Sequence, residues 1–333
     1  MDCCTVSVLV ILSVFILTFV WNVRVPKKMQ LEGVHVLITG GSSGIGKEIA
    51  KLVISRGAKV SIMARNKQRL AEAKEEIEQC RRTGCTEPVV CVEADVARDA
   101  KLVEKAVREA ESQNGPVQML VNSAGFSISG PFDDMKPEDF KSQMDVNYLG
   151  TVYATKAVIS SMKTLGCGRI IFLSSQAGQI GLFGYTGYSA AKFALTGLAQ
   201  ALQMEVKPYN IHVTISFPPD TETPGYKAEL AEGKPKETML ISETSGVFQP
   251  DKVARTIVED SLNGRFQSWI GMDGFMLACM TCGMSPVTTV LDALSQILTA
   301  SVFRLVSLFY LTHFDGIVRK CKKDRDAQKK KAS

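Results

Sequence analysis

The sequence predicts an α/β chain: a single domain on a doubly wound parallel sheet, with apolar, membrane-associated segments at both ends. Three observations predict it. Short Val/Ile/Leu-rich runs alternate with amphipathic helical stretches from residue 34 to about residue 270, and that alternation builds a parallel sheet with right-handed crossovers. A glycine cluster falls directly between the first apolar run and the first helical stretch, where a phosphate cradle forms. The uncharged stretches lie before residue 24 and after residue 274, outside that pattern.

The length of 333 residues suits one such domain with additions. The net charge of +5 comes largely from a basic tail after Arg319, and marks no nucleic-acid surface. The nine cysteines are scattered without a framework. Cys279 and Cys282 form a C-x-x-C, but no second ligand pair accompanies them, so reduced thiols and no metal are expected.

Taken in order, residues 1–25 read as an N-terminal transmembrane anchor. Cys3 to Val23 carries no charge and, as a helix, is long enough to cross a bilayer. Trp21 stands at its end, and Arg24, Lys27 and Lys28 follow, which places what comes next in the cytosol. A cleaved signal peptide is the rival, but there is no basic leading region and no small-x-small site.

Residues 32–274 form the predicted catalytic domain. Val34–Thr39 is a buried-strand pattern that runs into Gly40-Gly-Ser42-Ser43-Gly44-Ile45-Gly46 and then a helix ending at Gly57. The glycines let the backbone approach a pyrophosphate, and the helix amino terminus supplies N–H groups. Ser42 and Ser43 add hydroxyl donors. The second strand, Lys59–Ala64, ends at Arg65, with Arg69 one turn into the next helix. An acidic residue here holds the ribose 2′-hydroxyl in NAD sites, whereas a guanidinium suits a 2′-phosphate, so NADPH is predicted. Strands follow at Val89–Ala94 and Met119–Val121, with helices over 66–82 and 99–113.

The run Arg169–Ser175 reads as a buried strand that carries Ser175 to its carboxyl end, where open α/β sheets hold ligands. Tyr188 and Lys192, four residues apart, share one helix face. An ammonium there should lower the pKa of the Tyr188 phenol and fit it for proton transfer, with Ser175 and Tyr188 meeting over one carbonyl oxygen. Further strands are predicted at His212–Ser216 and Phe266–Ile270.

The glycine turn 39–46, Asn122-x-Ala-Gly125, Asn147, Ser175 and Tyr188-x-x-x-Lys192 together resemble the short-chain dehydrogenase/reductase family. The likeness covers roughly residues 34–274 and implies a Rossmann-type fold and carbonyl reduction. On that resemblance Tyr188 is the general acid and Lys192 holds the nicotinamide ribose. Ser175, rather than Ser174, holds the carbonyl oxygen, and Asn147 holds a water for proton return. Asp95 contacts the adenine, Asn122 supports the central strand, and Thr221 and Thr223 reach the carboxamide. The family often has Asn where Ser123 stands, and commonly reads Pro-Gly where this chain has Pro219-Asp220. The resemblance also implies a homodimer and a long-chain amino ketone lipid as substrate. A steroid or retinoid oxidoreductase and a non-catalytic NADPH-binding scaffold are the rivals.

Residues 221–250 are polar and read as a substrate lid, with Leu182 and Phe183 as candidate walls of an alkyl channel. Residues 275–314 read as membrane-associated segments: two short spans, a re-entrant hairpin or surface helices, with the hairpin favoured. Residues 315–333 form a basic tail, cytosolic by the same rule as the catalytic domain. Lys330-Lys-Ala-Ser333 resembles an endoplasmic-reticulum return signal, so the location predicted is that membrane, facing the cytosol.

Overall fold

The computed structural model describes residues 5–7, 13–14 and 25–332. Most of the predicted N-terminal span lies outside these residues, as does Ser333 at the end of the predicted return signal. Seven parallel strands run in the order β3-β2-β1-β4-β5-β6-β7: β1 His35–Thr39, β2 Lys59–Ala64, β3 Val90–Glu93, β4 Met119–Asn122, β5 Gly168–Leu173, β6 Ile211–Phe217 and β7 Gln267–Trp269. The order reverses between β1 and β4, which pair from Val36↔Met119 to Thr39↔Asn122. Their carboxyl ends therefore open the crevice in which a doubly wound sheet binds ligands.

Both faces of the sheet are covered, which explains strands that are apolar throughout instead of alternating. Val36, Ile38, Val60 and Ile62 pack beneath helices α1 (Gly44–Ile54), α2 (Lys67–Glu78) and α9 (Pro250–Leu262). Leu37, Met63, Leu120 and Phe172 face α3 (Ala100–Asn114), α5 (Gly150–Leu165) and α6 (Thr186–Val206). Helix α4 (Pro137–Met144) runs into a π turn over Asp145–Leu149 before α5 begins. Between β6 and α9 the predicted lid folds as two short helices, α7 (Pro224–Ala231) and α8 (Lys236–Ser242).

The carboxyl-terminal region departs from the favoured hairpin. Gly271–Met280 forms a short helix, α10, with Leu277, Ala278 and Cys279 buried. A single 43-residue helix, α11 (Val290–Ala332), follows and runs through the predicted boundary at 314/315. The reason lies in the sequence: Gly283 and Pro286 fall in the connection before the helix, and no proline occurs from Val290 onward. Part of α11, Val290–Gln328, is long and apolar enough to cross a membrane by length and composition. Yet it touches the domain at two places along its length. Phe303 packs edge-on to Phe275 of α10 at 5.7 Å, while Asp324 and Arg325 pair with Lys236 and Glu237 of α8.

Arg169, at the start of β5, is the buried polar tie between sheet and helix. Its Nε donates to the Ser261 carbonyl at 2.8 Å and Nη2 to the Lys27 carbonyl at 3.0 Å. Burial draws its pKa down to about 10, so it stays charged at neutral pH. Arg169→Met would leave these acceptors without their donor, at about 1–3 kcal/mol for each one left unmet. Urea denaturation should show an unfolding free energy lowered by that order, read as a lower midpoint at unchanged slope; a wild-type midpoint would show that the tie contributes nothing.

Candidate active site

A cleft of about 880 Å³ lies at the carboxyl ends of the strands. One end is the glycine turn. Gly40 and Gly44 have positive φ angles of 68° and 55°, where side chains are strained. A Cβ at Gly40 would come within 2.8 Å of the Ala124 backbone, and one at Gly46 within 2.6 Å of the Gly40 carbonyl oxygen. Ser43 stands at the amino-terminal cap of α1 in extended conformation without a side-chain capping bond. Its hydroxyl and the first helical N–H groups, beside Ile45, therefore face a site with room for an anion. Ser42 is half-buried in the same turn. This tightness and donor set fit the phosphates of a dinucleotide.

At the end of β2 the Arg65 side chain is 72 % exposed and lies 3.9 Å from Asp95. Asp95 accepts a hydrogen bond from the Ala97 N–H at 3.0 Å. Arg69 sits in the first turn of α2, its N–H capped by the Asn66 side chain at 2.9 Å. Asn122 is buried and donates to Thr155 at 3.3 Å, while its Oδ1 has no partner among the described residues. Thr221 is buried with its hydroxyl on the Pro219 carbonyl at 2.9 Å. Thr223 caps α7 by accepting from the Tyr226 N–H at 3.1 Å, and lies against Gly44.

The structure brings Ser175, Tyr188, Lys192 and Asn147 together. Ser175 caps a tight turn over Gln176–Gly178, its Oγ accepting from the Ala177 N–H at 3.1 Å, and lines the cleft together with Tyr188. Ser174 instead donates to the Lys192 carbonyl at 3.0 Å, a structural tie. Lys192 is buried, and its Nζ donates to the Leu173 carbonyl at 2.8 Å. Asn147 sits in the π turn, a distortion often found at functional sites. Its two N–H groups go to the Phe126 and Gln143 carbonyls, both at 2.9 Å. The side-chain amide is thus spent on protein, bracing the loop after β4.

The expected effect of Lys192 on Tyr188 is also corrected. Burial pushes the Tyr188 phenol well above its usual pKa; the neighbouring Ser175 hydroxyl pulls it down, and the Glu229 and Asp220 charges raise it further. Lys192, its ammonium drawn to the Leu173 carbonyl, does not set the sign. Burial lowers Lys192 itself to about 8.

The other end of the cleft holds a cluster that motif reasoning did not single out. Lys234, with a side chain only 1 % exposed, lies 3.1 Å from Asp220 and 3.8 Å from Glu229. Glu229 accepts hydrogen bonds from Tyr185 at 2.5 Å and Ser127 at 2.8 Å. The one sequence signal for this cluster was the Asp220 departure from Pro-Gly. Leu182 lines the cleft as expected; the Phe183 carbonyl is instead held by Thr238 at 2.7 Å. Tyr310, Leu311 and Phe314 of α11 complete the wall.

Comparison with known proteins agrees with this geometry. The family model described as short chain dehydrogenase matches residues 34–233. The chain is similar to a 3-dehydrosphinganine reductase of Danio rerio, 52 % identical over 96 % of this chain and 97 % of that one. It is also similar to a 3-ketodihydrosphingosine reductase of Bos taurus, 52 % identical over 89 % of each. A solved structure of a short chain dehydrogenase/reductase family protein superposes with a TM-score of 0.59 and 28 % identity, over 70 % of this chain and 91 % of that one.

The buried ammonium makes stability depend on pH. Above about pH 8 the folded protein releases the Lys192 proton, while the unfolded chain keeps it to about 10.5, so stability rises across that window. The interval corresponds to roughly 3 kcal/mol at most. Lys192→Met lacks this rise. Denaturant titrations should show it gaining on wild type at pH 7, with the gap closing as pH approaches 10.5; a gap independent of pH would contradict the assignment.

Proposed function

Since the chain belongs to the short-chain dehydrogenase/reductase family, a family of NAD(P) enzymes, we propose that it reduces 3-oxosphinganine to sphinganine with NADPH. The observation that carries the reading is that Ser175, Tyr188 and Lys192 line the same cleft as the glycine cradle. The names of the relatives supply the substrate. The cleft suits it: Ile180, Leu182, Met276, Leu311 and Phe314 offer apolar wall to an alkyl chain. Arg65 supports NADPH, because its exposed guanidinium stands where an NAD site has a carboxylate.

Gly40, Ser42, Ser43, Gly44, Ile45 and Gly46 would hold the phosphates, Arg65 and Arg69 the 2′-phosphate, Asp95 the adenine, and Thr221 the carboxamide. Asn122 would brace the strand beneath. The bound cofactor supplies the hydride. Tyr188 Oη gives its proton to the ketone oxygen, and Ser175 Oγ orients that oxygen by hydrogen bonding. Tyr188 starts the step protonated, as its raised pKa requires. The alkoxide formed is a far stronger base than a phenolate, so the transfer runs downhill. Lys192 would hold the ribose and, beside Gly125 and Asn147, stand behind Tyr188 as its proton source.

A lipid substrate accords with the exposed apolar stripe of α11, and we place the enzyme at the endoplasmic reticulum membrane with its catalytic domain in the cytosol. A homodimer through α5 and α6 accords with Phe193 and Met204 exposed on α6.

Tyr188→Phe should lower turnover of 3-oxosphinganine by about 10²–10⁴-fold while NADPH binding, followed by its fluorescence, persists. Full activity in that variant would remove the mechanism. Arg65→Asp should shift the ratio of kcat/KM values from NADPH towards NADH, and an unmoved ratio would take Arg65 out of the phosphate site.

A further inference from the structure

We infer that Glu229 receives the ammonium group of the substrate, and so selects an amino ketone over a neutral ketone of the same length. The inference rests on the substrate reading above and adds the group that recognises it. In 3-oxosphinganine the amine sits on the carbon next to the ketone. Once the carbonyl oxygen lies against Tyr188 and Ser175, the ammonium must lie close beside them. Glu229 is on that side of the cleft: it lines the cleft with Tyr188 and Ser175 and is hydrogen-bonded to Tyr185, whose ring centroid is 5.3 Å from that of Tyr188.

The local charge is incomplete without a cation. Asp220 and Glu229 share one buried ammonium, Lys234, which lies closer to Asp220. The other hydrogen-bond partners of the Glu229 carboxylate among the described residues are neutral hydroxyls, from Tyr185 and Ser127. Two carboxylates against one cation in a partly enclosed cleft leave a negative charge that an incoming ammonium would balance. A second observation points to a polar ligand group in the same cleft. Gln179 lines the cleft and is 7 % exposed; its Nε2 is fixed on Thr281 at 3.0 Å, and its buried Oε1 has no partner among the described residues. That acceptor suits the hydroxyl that the amino ketone carries beyond its amine. Lys234 and Asp220 are positioning residues: their pair sets the lid against the loop after β6, where this chain departs from Pro-Gly.

The test uses the full chain in mixed micelles with saturating NADPH. The substrates are 3-oxosphinganine and the hydroxy ketone of equal chain length that lacks the amine. Wild type should show a KM for the amino ketone about tenfold or more below that for its neutral counterpart. Glu229→Gln should raise the amino-ketone KM by about tenfold more than it raises the other, and Glu229→Asp should recover part of the loss. Binding of sphinganine without turnover should weaken in Glu229→Gln by a similar factor, which a merely structural defect of the lid would not confine to the amine. Equal effects on both ketones would overturn the inference, as would a wild type that does not distinguish them; in either case the proposed function stands. If wild type reduces neither ketone, the proposed function fails and takes this inference with it.

Discussion

A buried ammonium has to be met by an acceptor, and the site is built on how Lys192 meets that demand. Its Nζ reaches the last carbonyl of β5, at Leu173, while its own carbonyl accepts from Ser174 in the residue following that strand. Two hydrogen bonds running in opposite directions lock α6 to the end of the sheet. Helix α6 cannot rotate without losing both. With Lys192 fixed, Tyr188 is fixed one turn earlier on the same face, above the turn that presents Ser175. The crowding around this lock leaves no room for side chains. A Cβ at Gly178 would meet Ser174 Oγ at 2.4 Å, and one at Gly125 would meet Asn147 Oδ1 at 2.6 Å.

Burial disfavours charge on both partners: the phenol is held up and the amine down. Such a site favours an intact O–H at Tyr188 at the start of the reaction, which is what an acid needs in the reductive direction. The carboxylates of Glu229 and Asp220 push the phenol further the same way. A cation placed between them and Tyr188 cancels that push. The substrate's own ammonium would thus make the acid more ready to give up its proton at the moment the ketone is in place.

The fold was legible because its signals are local. Val34–Thr39, the turn at Gly40–Gly46 and the β2 run each carry their structure in a few adjacent residues, and the observed strand bounds differ from the expected ones by a residue or so. Tyr188, Lys192 and Ser175 were legible because a helix period and a strand end suffice to bring them together. The signs of their pKa shifts were not, since burial and the charges of Glu229 and Asp220 come from a lid far along the chain. Glu229, Lys234 and Tyr185 carry no spacing signature; only the fold of α7 over the cleft makes them neighbours. The apolar stretch 274–312 showed composition but not geometry. Its one decisive local cue was the placement of Gly283 and Pro286 ahead of the long helix instead of within it.

Helix α11 joins the two demands of a lipid reductase in one element. Leu298, Val302, Leu305 and Phe309 follow a 4-3-4 spacing and are 59–73 % exposed. Phe303, Ser307, Tyr310 and Phe314 follow the same spacing almost opposite, against α10 and the cleft. The first stripe is an apolar surface of the kind that marks an interaction with lipid or protein; the second is the wall of the pocket. Ion pairs with α8 and a ring contact with α10 hold the helix at two places, and the stretch between them forms a rim of the cleft. Outward apolar surface and cleft wall therefore belong to one helix, and the angle between them is set by the helix period alone.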